Sequence, residues 1–483
     1  MTLDLHTCYR ALRARDARFD GRFFVAVSST RIYCRPVCTV KPPKRENCRF
    51  YPSAAAAETA GYRPCLRCRP ELAPGNASVD ATTRLAQAAA SMMEDGTLDS
   101  AGLDTLATRL GITDRHLRRA FGAEFGVSPV QFAQTQRLLL AKRLLTDTAL
   151  PITDVAFASG FGSVRRFNAL FQQRYRLKPG QLRTSRRSAA RVSGALDALD
   201  FELSFRPPFD WRALSAFLAA RTIAGVEAAE DGRYRRTVRI VLDGKEHHGW
   251  LSVGISPKKP TLRVSVSASL AKVVPPVLSR VKVLMDLACN PAEVAKTLGP
   301  LTRRHPGLRV PGAFDGFEMA VRAILGQQVT VAGARTLAGR FAERFGDTIE
   351  TPFGSLTRLF PTANHIAAQS AESIASLGMP AARARTIAAL ARAVADKHVT
   401  LTPSADVETT LVALRAVPGI GEWTAQYIAM RALSWPDAFP HTDLGLMKAL
   451  GHTNARRLLA AGEAWRPWRA YAVMHLWQSL SKE

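Results

Sequence analysis

Residues 414–427 have the sequence Leu-Arg-Ala-Val-Pro-Gly-Ile-Gly-Glu-Trp-Thr-Ala-Gln-Tyr, and this stretch decides the fold of the carboxy-terminal half of the chain. Pro418 stops one helix, and the turn at Gly419 and Gly421 opens the next. The glycines let the backbone approach another molecule closely, and free amides at the start of the second helix can hold a DNA phosphate. The pattern predicts a DNA-binding corner between two helices, with a plain helical corner as the alternative.

An acidic side chain follows this corner. Asp443 comes after Phe439-Pro-His-Thr442 and precedes a predicted helix over Leu444–Leu450. Aspartate commonly caps a helix, and a fixed carboxylate can also stabilise positive charge that develops on a sugar. The two roles are compatible, so Asp443 is a candidate catalytic residue.

The carboxy-terminal half resembles the helix-hairpin-helix DNA glycosylases, and within them the 3-methyladenine DNA glycosylase II (AlkA) type. The resemblance runs from about Phe201 to Trp477 and includes Pro207-Pro-Phe-Asp-Trp211 and Ala323-Ile-Leu-Gly-Gln-Gln328. It implies hydrolytic excision of alkylated bases such as 3-methyladenine, with Asp443 as the catalytic carboxylate. Trp423 stands where strand-cutting relatives have a lysine, which implies a monofunctional glycosylase.

The same resemblance implies a base pocket and a set of DNA contacts. An aromatic pocket attracts positively charged alkylated purines once the base has left the stack. By position, the pocket residues are Phe217, Gln327, Trp423, Tyr427 and Trp477. Gly419, Gly421 and Gln328 are the expected DNA contacts, and Gln328 replaces the apolar residue with which the family fills the vacated stack. Ordinary core packing is the alternative for the aromatic residues.

Four of the seven cysteines have the paired spacing of a metal site, namely Cys34, Cys38, Cys65 and Cys68. Such pairs supply four thiolates to a tetrahedral Zn²⁺ ion, which keeps thiolates deprotonated at neutral pH. Basic residues flank the pairs, among them Arg35, Arg45 and Arg67. A structural zinc ribbon is one interpretation, and a metal-bound sulfur nucleophile beside nucleic acid is the other.

The segments Arg31-Ile-Tyr-Cys-Arg-Pro-Val-Cys38 and Gly61-Tyr-Arg-Pro-Cys-Leu-Arg-Cys68 resemble the amino-terminal domain of Ada-type DNA repair proteins. The resemblance implies one Zn²⁺ cofactor and irreversible transfer of a methyl group from a DNA methylphosphotriester to Cys34. Methylation removes one negative charge from the site, so DNA affinity should rise, because backbone affinity is largely electrostatic. Arg45 and Arg67 are the candidate DNA contacts of this domain.

Two helix-turn-helix patterns follow, at 103–121 and 152–171. In each, a glycine ends a first helix, and Thr113 or Ser163 begins a second helix that is rich in arginine. The stretch at about 80–185 resembles the AraC-type transcription regulators, which implies promoter DNA and RNA polymerase as partners in activation. The side chains expected to face a major groove are Arg115, Arg118, Arg165, Arg166 and Asn168. A helical hairpin within a core is the alternative for either pattern alone.

Composition agrees with a DNA-binding protein of several domains. The chain has 483 residues, 47% of them hydrophobic, and a net charge of +26 from 66 Lys and Arg against 40 Asp and Glu. This excess favours double-stranded DNA over a small acidic substrate. No run of about twenty apolar residues and no secretory signal is visible, so we expect a cytoplasmic protein without a membrane partner.

We therefore predict a multidomain, mainly α protein with five successive parts. They are a small α/β zinc domain with four cysteine ligands (1–73), an AraC-type double helix-turn-helix domain (80–186), a basic linker (187–198), an α+β antiparallel-sheet domain (199–305) and a helix-hairpin-helix glycosylase domain (306–483). One alternative keeps the regulator and treats the glycosylase half as a degenerate DNA-binding module. Another is a metal-stabilised DNA-binding protein with no chemistry at either end.

Overall fold

The computed structural model describes residues 4–75, 81–94, 102–148, 150–184, 197–242, 244–451 and 454–480. The protein is multidomain and mainly helical, which confirms the predicted fold class. Within those ranges, no helix combines the length and the apolar composition needed to cross a membrane. The predicted basic linker lies outside the described residues except for Asp197 and Ala198.

The amino-terminal part is a small mixed sheet with two helices. Its elements are α1 Leu5–Ala14, β1 Phe24–Val27, β2 Ile32–Cys34, β3 Cys48–Tyr51, α2 Ala54–Thr59 and β4 Arg63–Pro64. The strand order is β3-β1-β2-β4, and only the pair β2–β4 is parallel. Because β2 ends at Cys34 and Cys65 follows β4, this parallel pairing brings the two cysteine pairs to one edge of the sheet.

Seven helices lie in the described residues of the helix-turn-helix part. They are α3 Ala81–Glu94, α4 Leu103–Arg109, α5 Asp114–Phe125, α6 Pro129–Asp147, α7 Ile152–Ala158, α8 Val164–Tyr175 and α9 Pro179–Thr184. The predicted caps are confirmed, because the hydroxyls of Thr113 and Ser163 accept hydrogen bonds from backbone amides of α5 and α8 at 3.3 and 3.1 Å. Helix α6 connects the two units and packs on both.

An antiparallel sheet of five strands begins the carboxy-terminal half. The elements are β5 Ala198–Ser204, α10 Trp211–Ala219, β6 Glu227–Glu230, β7 Arg233–Leu242, β8 Lys245–Ile255 and β9 Thr261–Ser267. The strand order is β5-β9-β8-β7-β6. The β-branched residues of 237–242, 250–255 and 261–266 predict three strands of a small antiparallel sheet, and these strands are β7, β8 and β9. Strands β5 and β6 were not predicted.

Helices make up the rest of the chain and enclose one large apolar core. They are α11 Val274–Leu284, α12 Pro291–Leu298, α13 Gly316–Leu325, α14 Val331–Phe345, α15 Ala363–Ala367, α16 Ala371–Ala375, α17 Ala381–Ala395, α18 Val407–Ala416, α19 Glu422–Arg431, α20 Leu444–Leu450, α21 Ala455–Gly462 and α22 Arg469–Leu480. The predicted stop before Pro418 and restart after Gly421 are the junction of α18 and α19.

The amino-terminal sheet and the carboxy-terminal half are packed against each other through Arg206. This side chain is fully buried, and its guanidinium donates hydrogen bonds to the backbone oxygens of Asp20 at 2.9 Å, Gly75 at 2.6 Å and Ala288 at 2.8 Å. A buried guanidinium whose donors are used in this way holds three separate segments together.

Candidate active site and metal centre

The Gly419 turn fits closely against helix α17. Gly419 has a φ of +90°, and a Cβ built at this position lies 2.0 Å from the hydroxyl oxygen of Thr386. Glycine therefore satisfies both the left-handed backbone and the close contact. Gly421 is the N-terminal residue that flanks α19, where no side-chain cap occupies the first amides. This leaves the corner with the amide geometry expected of a phosphate contact.

The Asp443 carboxylate is fixed by donors from three elements. It caps α20, where Oδ1 accepts a hydrogen bond from the amide of Leu446 at 2.8 Å. The indole N–H of Trp423 donates to Oδ2 at 2.8 Å, and that of Trp477 donates to Oδ1 at 3.1 Å. Capping and a place beside the expected pocket thus occur together, and the side chain remains partly exposed.

The predicted aromatic residues surround this carboxylate. The rings of Trp423 and Tyr427 are stacked, with centroids 5.2 Å apart and planes 7° apart. The Trp477 ring lies 6.1 Å from Tyr427 at 50°. The structure therefore brings together three aromatic rings that the sequence separates by up to about fifty residues, and two of the rings bind the acid directly.

Phe217 lies in the same cluster, but arginines cover its ring. The guanidinium carbon of Arg221 is 3.7 Å from the ring centroid, and that of the buried Arg431 is 5.1 Å away. Arg431 also donates to the hydroxyl of Tyr427 at 2.8 Å. Burial raises the pKa of Tyr427, but the positive charges of Arg431, Arg221 and Arg322 outweigh it, so this pKa lies below its ordinary value. The side of the aromatic cluster on which Phe217 lies, called its rear below, is therefore positively charged.

Gln327 and Gln328 occupy the loop that joins α13 to α14. The side-chain amide of Gln327 donates to the backbone oxygen of Gly419 at 3.0 Å and to the hydroxyl of Thr424 at 2.9 Å. Gln328 is exposed and has a φ of 53°, a conformation that non-glycine residues rarely adopt. The loop is thus tied to the Gly419 turn and presents Gln328 to solvent.

The four predicted cysteine ligands meet at one point. The sulfur atoms of Cys34, Cys38, Cys65 and Cys68 all lie within 4.8 Å of one another. A tetrahedral Zn²⁺ ion with Zn–S bonds of about 2.3 Å has sulfurs about 3.8 Å apart, so this donor set fits one zinc ion. The hydrogen bond with Cys34 is the largest influence on Cys38 and holds the pKa of that thiol below its ordinary value. Such a group loses its proton readily to a cation.

Arg35 differs from the other basic residues that flank the cysteines. It is buried, and its guanidinium pairs with Asp20 through two hydrogen bonds, one of them 2.8 Å long. Its backbone amide donates to the sulfur of Cys68 at 3.3 Å. Arg35 therefore supports the cluster from within, whereas Arg45 and Arg67 are exposed at its surface.

Sequence comparisons extend over the whole chain. Four family models match it in succession: the metal binding domain of Ada at 7–71, a helix-turn-helix domain at 106–185, the AlkA N-terminal domain at 200–315, and the HhH-GPD superfamily of base excision DNA repair proteins at 321–457. A protein of Mycobacterium tuberculosis described as a probable bifunctional transcriptional activator/DNA repair enzyme AlkA is 39% identical over 490 residues, which cover 99% of this chain and 97% of that protein. The chain belongs to this bifunctional AlkA family.

Two shorter relatives match the two ends of this bifunctional AlkA family member. The DNA-3-methyladenine glycosylase 2 of Escherichia coli is 36% identical over 277 residues, which are 57% of this chain and 96% of that protein. The bifunctional transcriptional activator/DNA repair enzyme Ada of Escherichia coli is 36% identical over 141 residues, 29% of this chain and 38% of that protein. The chain is thus a fusion of Ada-type and AlkA-type parts.

In this chain, the five candidate groove contacts are exposed on the second helix of each unit. They are Arg115 and Arg118 on α5, and Arg165, Arg166 and Asn168 on α8. Arg118 is also paired with Asp114 at 2.8 Å, an exposed contact worth little energy. The apolar residues of the same helices, such as Phe121 and Phe167, face the core. Because each of these helices buries only the face that carries its apolar residues, the arginines on the other face remain on the surface.

Several residues that shape both sites were missed by sequence reasoning. Arg431 behind the aromatic rings and Asp20 beneath Arg35 belong to no pattern that was recognised, and Arg221 was noted only as the last residue of the AlkA-like segment 217–221, without a role. Arg221 and Arg431 do follow Phe217 and Tyr427 by four residues, the spacing at which side chains on a helix meet. That spacing is the one signal by which these two arginines could have been found.

Proposed function

We propose that this protein repairs alkylated DNA by two separate reactions, base excision and methyl transfer, and activates transcription after the methyl transfer. In the carboxy-terminal half it hydrolyses the N-glycosidic bond of alkylated bases such as 3-methyladenine. In the amino-terminal part it transfers a methyl group from a DNA methylphosphotriester to Cys34. The observation that carries the first reaction is the Asp443 carboxylate, which two indoles of an aromatic cluster hold in place.

The glycosylase reaction uses Asp443 and the rings around it. The flipped base enters the aromatic cluster, and its deoxyribose then lies at the carboxylate. As the base leaves, the sugar gains positive charge, which the fixed carboxylate stabilises while it orients water. Trp423 offers no amine to attack the sugar, so the product is an abasic site in an uncut strand.

The pocket discriminates by charge as well as by stacking. The open aromatic surface of Trp423, Tyr427 and Trp477 attracts a cationic base, and Asp443 adds to that attraction. Arg221 and Arg431 oppose it from behind Phe217. These opposing charges should allow neutral alkylated bases to compete, since the pocket as a whole is not strongly negative.

DNA contacts position the lesion. Gly419 and Gly421 provide backbone amides to a phosphate, and Gln327 fixes that turn through its side chain. Gln328 enters the space left by the base. Its amide can hydrogen-bond to the unpaired base on the opposite strand, which the apolar residue of the wider family cannot do.

Methyl transfer takes place at sulfur. The Cys34 thiolate attacks the methyl carbon, an S–C bond forms, the C–O bond of the phosphotriester breaks, and the phosphodiester departs as an anion. Zinc, when bound, keeps the four sulfurs deprotonated and holds them together. Arg45 and Arg67 are placed at the surface to hold the DNA phosphates, and Cys34 itself is only 6% exposed. Attack therefore requires the sulfur to become more accessible when DNA binds.

Transcription activation follows from the charge that methylation removes. A neutral thioether in place of a thiolate weakens repulsion of the DNA backbone. The arginines of α5 and α8 then hold promoter DNA in the major groove, and RNA polymerase is the expected partner there. These activities belong to the cytoplasm, as the sequence predicts.

Two assays on the full-length, zinc-loaded protein test the proposal. Incubation with a methylphosphotriester duplex should add one methyl mass to the peptide that contains Cys34, and peptide mapping separates it from Cys65 and Cys68. Incubation with a methylated duplex should release free alkylated base and leave the strand uncut. Strand cutting without added alkali contradicts the monofunctional assignment. Equal base release by Asp443→Asn and the unaltered protein removes Asp443 from the mechanism.

A further inference from the structure

Glu58 is a buried carboxyl at the junction of the zinc domain and the helix-turn-helix part. The residue is 2% exposed. Its Oε1 accepts hydrogen bonds from the phenols of Tyr33 at 3.0 Å and Tyr175 at 3.2 Å, and its Oε2 accepts one from the hydroxyl of Thr135 at 3.3 Å. These three donors belong to three different elements, so one side chain joins them.

The donors connect the methyl-acceptor strand with the helix that carries the groove contacts. Tyr33 immediately precedes Cys34 on β2, and Thr135 lies on α6. Tyr175 is the last residue of α8, the helix that presents Arg165 and Arg166. The guanidinium of Arg174 also donates to the backbone oxygen of Glu58 at 3.1 Å. The carboxy-terminal end of α8 is therefore attached to α2 at two points.

Strand β2 has the metal cluster on one face and Glu58 on the other. Successive side chains of a strand point in opposite directions, so Cys34 packs with Leu12 and Val25 while Tyr33 reaches the carboxyl. Cys34 is nearly buried in that packed surrounding. A methyl group added to its sulfur needs space that a close-packed site does not have, so the strand must shift.

We propose that Glu58 transmits the methylation state of Cys34 to helix α8 through its hydrogen bonds with Tyr33 and Tyr175. This route from Cys34 to α8, through Tyr33, Glu58 and Tyr175, rests on the proposed methyl transfer. It adds a structural effect to the loss of charge at the sulfur. In the unmethylated protein the three donors hold β2, α6 and α8 in one arrangement. A shift of β2 displaces the Tyr33 phenol. The Glu58 carboxyl then either moves with the phenol or loses its hydrogen bond to it.

Because its carboxyl is buried, Glu58 makes the junction of β2, α6 and α8 sensitive to the loss of a hydrogen-bond donor. Burial raises the pKa of Glu58 to about 7, against the opposing effect of the phenols of Tyr33 and Tyr175 and the charge of Arg174. Loss of one phenol donor removes part of what stabilises the charged form in a site that desolvates it. Displacement of Tyr33 therefore changes the balance between the charged and neutral forms of Glu58, and with it the hydrogen bond that Glu58 accepts from the Tyr175 phenol.

Hydrogen–deuterium exchange of the full-length, zinc-loaded protein tests the route, before and after treatment with a methylphosphotriester duplex from which the protein is then separated. We expect methylation to change exchange in peptides of α8 as well as in those of β2. In Glu58→Leu and Tyr175→Phe the change in α8 should fall by about two- to tenfold, as expected when the hydrogen bond between Glu58 and Tyr175 is lost, while the change in β2 persists. Peptide masses from the same samples report the methyl group on Cys34.

Tyr471→Phe is the matched control, because it removes another buried phenol that bonds a carboxylate, Asp286 at 2.9 Å, in the glycosylase half. In Tyr471→Phe, methylation should change hydrogen exchange in α8 as much as it does in the unaltered protein. If Glu58→Leu does not fold, Tyr175→Phe and Tyr33→Phe answer the same question. A full α8 response in these variants, or methylation with no α8 response in the unaltered protein, overturns the route and leaves methyl transfer intact. Absence of any added methyl overturns both.

Discussion

The zinc domain and the glycosylase half assemble their chemical centres in opposite ways. All four sulfurs come from residues 34–68, on two paired strands and the turns beside them. The carboxylate pocket draws on α10, the loop after α13, α19, the cap of α20 and α22, from Phe217 to Trp477. A centre built from one short segment depends on its ion, whereas one built from distant segments depends on the packing of the whole half. Each centre should therefore fail in its own way.

Removal of the metal should have the largest effect and should be confined to the first centre. Four thiolates without a cation repel one another, and bound zinc contributes roughly 10–16 kcal/mol in small zinc domains. A chelator should abolish methyl transfer and the amide protection of β1–β4, as measured by peptide mass and hydrogen exchange. Base release should persist with the core of the glycosylase half. Methyl transfer by metal-free protein contradicts this expectation.

Asp443→Asn should affect the second centre alone. Asparagine keeps the cap and one acceptor for an indole but removes the charge, so kcat/KM for base release should fall by about 10²- to 10³-fold. Affinity for the duplex and methyl transfer should remain. Asp406→Asn is the control, because Asp406 caps α18 in the same way, through the amide of Thr409 at 2.8 Å. Equal losses in both variants would mean that capping, not charge, matters.

Glu58 should make the stability of the amino-terminal parts depend on pH. Burial raises its pKa from the ordinary 4.5 to about 7, so between these values the folded protein binds a proton that the unfolded chain has released. This contribution to stability is complete at low pH, decreases as the pH rises from about 4.5 to 7, and is lost above that range. Its size is about 3 kcal/mol.

Glu58→Gln removes that titration. Relative to the unaltered protein, the free energy of unfolding of the variant should improve by about 3 kcal/mol between about pH 5 and pH 8, as measured by urea denaturation. The Tyr471→Phe variant gives the background for loss of a buried polar contact elsewhere. A difference between Glu58→Gln and the unaltered protein that does not vary with pH would show that Glu58 is already charged in the folded state.

Gly419→Ala should weaken the corner on which the second centre depends. The added Cβ meets the Thr386 hydroxyl at 2.0 Å in a left-handed backbone, so we expect a loss of about 2 kcal/mol in stability and weaker binding to duplex DNA. For Gly421→Ala no atom lies within 4 Å and φ is −88°, so the cost in stability should be at most about 1 kcal/mol. Thermal unfolding compares the pair, and equal costs contradict the close contact.

Trp477→Phe should have the smallest effect, about tenfold on kcat for base release. It keeps an aromatic ring but removes the N–H that holds Oδ1 of Asp443 at 3.1 Å, a hydrogen bond to a charged group. Trp250→Phe, on strand β8 and packed on Phe353, is the control for a shortened indole. A rise in KM with unchanged kcat would instead assign Trp477 to base binding alone.

The same contrast explains how much could be predicted from the sequence. The cysteine spacing and the Gly419 turn are local patterns, and the structure has the sulfur cluster and the helical corner where those patterns place them. Asp443 was a candidate because it follows the Gly419 turn at the position of the family's catalytic carboxylate, but its two indole donors come from residues 20 and 34 positions away. Only the folded chain shows that these side chains meet.

Residues that join separate parts of the fold had no signal at all. Glu58 lies in Ala-Ala-Ala-Ala-Glu-Thr, which is the pattern of an ordinary surface helix, yet its carboxyl is buried against α6 and α8. Arg206 looked like one more basic residue, and it is fully buried on backbone oxygens from both halves. Burial of a charge depends on its tertiary neighbours, which no local pattern records.

Two independent centres, we propose, act on DNA in one chain: a sulfur that accepts a methyl group and a carboxylate that promotes base loss. The direct test gives one duplex with both kinds of damage to the unaltered protein, Cys34→Ser and Asp443→Asn, and measures added methyl mass and released base in each sample. We predict that Cys34→Ser loses only methyl transfer and that Asp443→Asn loses only base release. Retention of either activity in its own variant, or loss of both activities in one variant that is still folded, would contradict the claim.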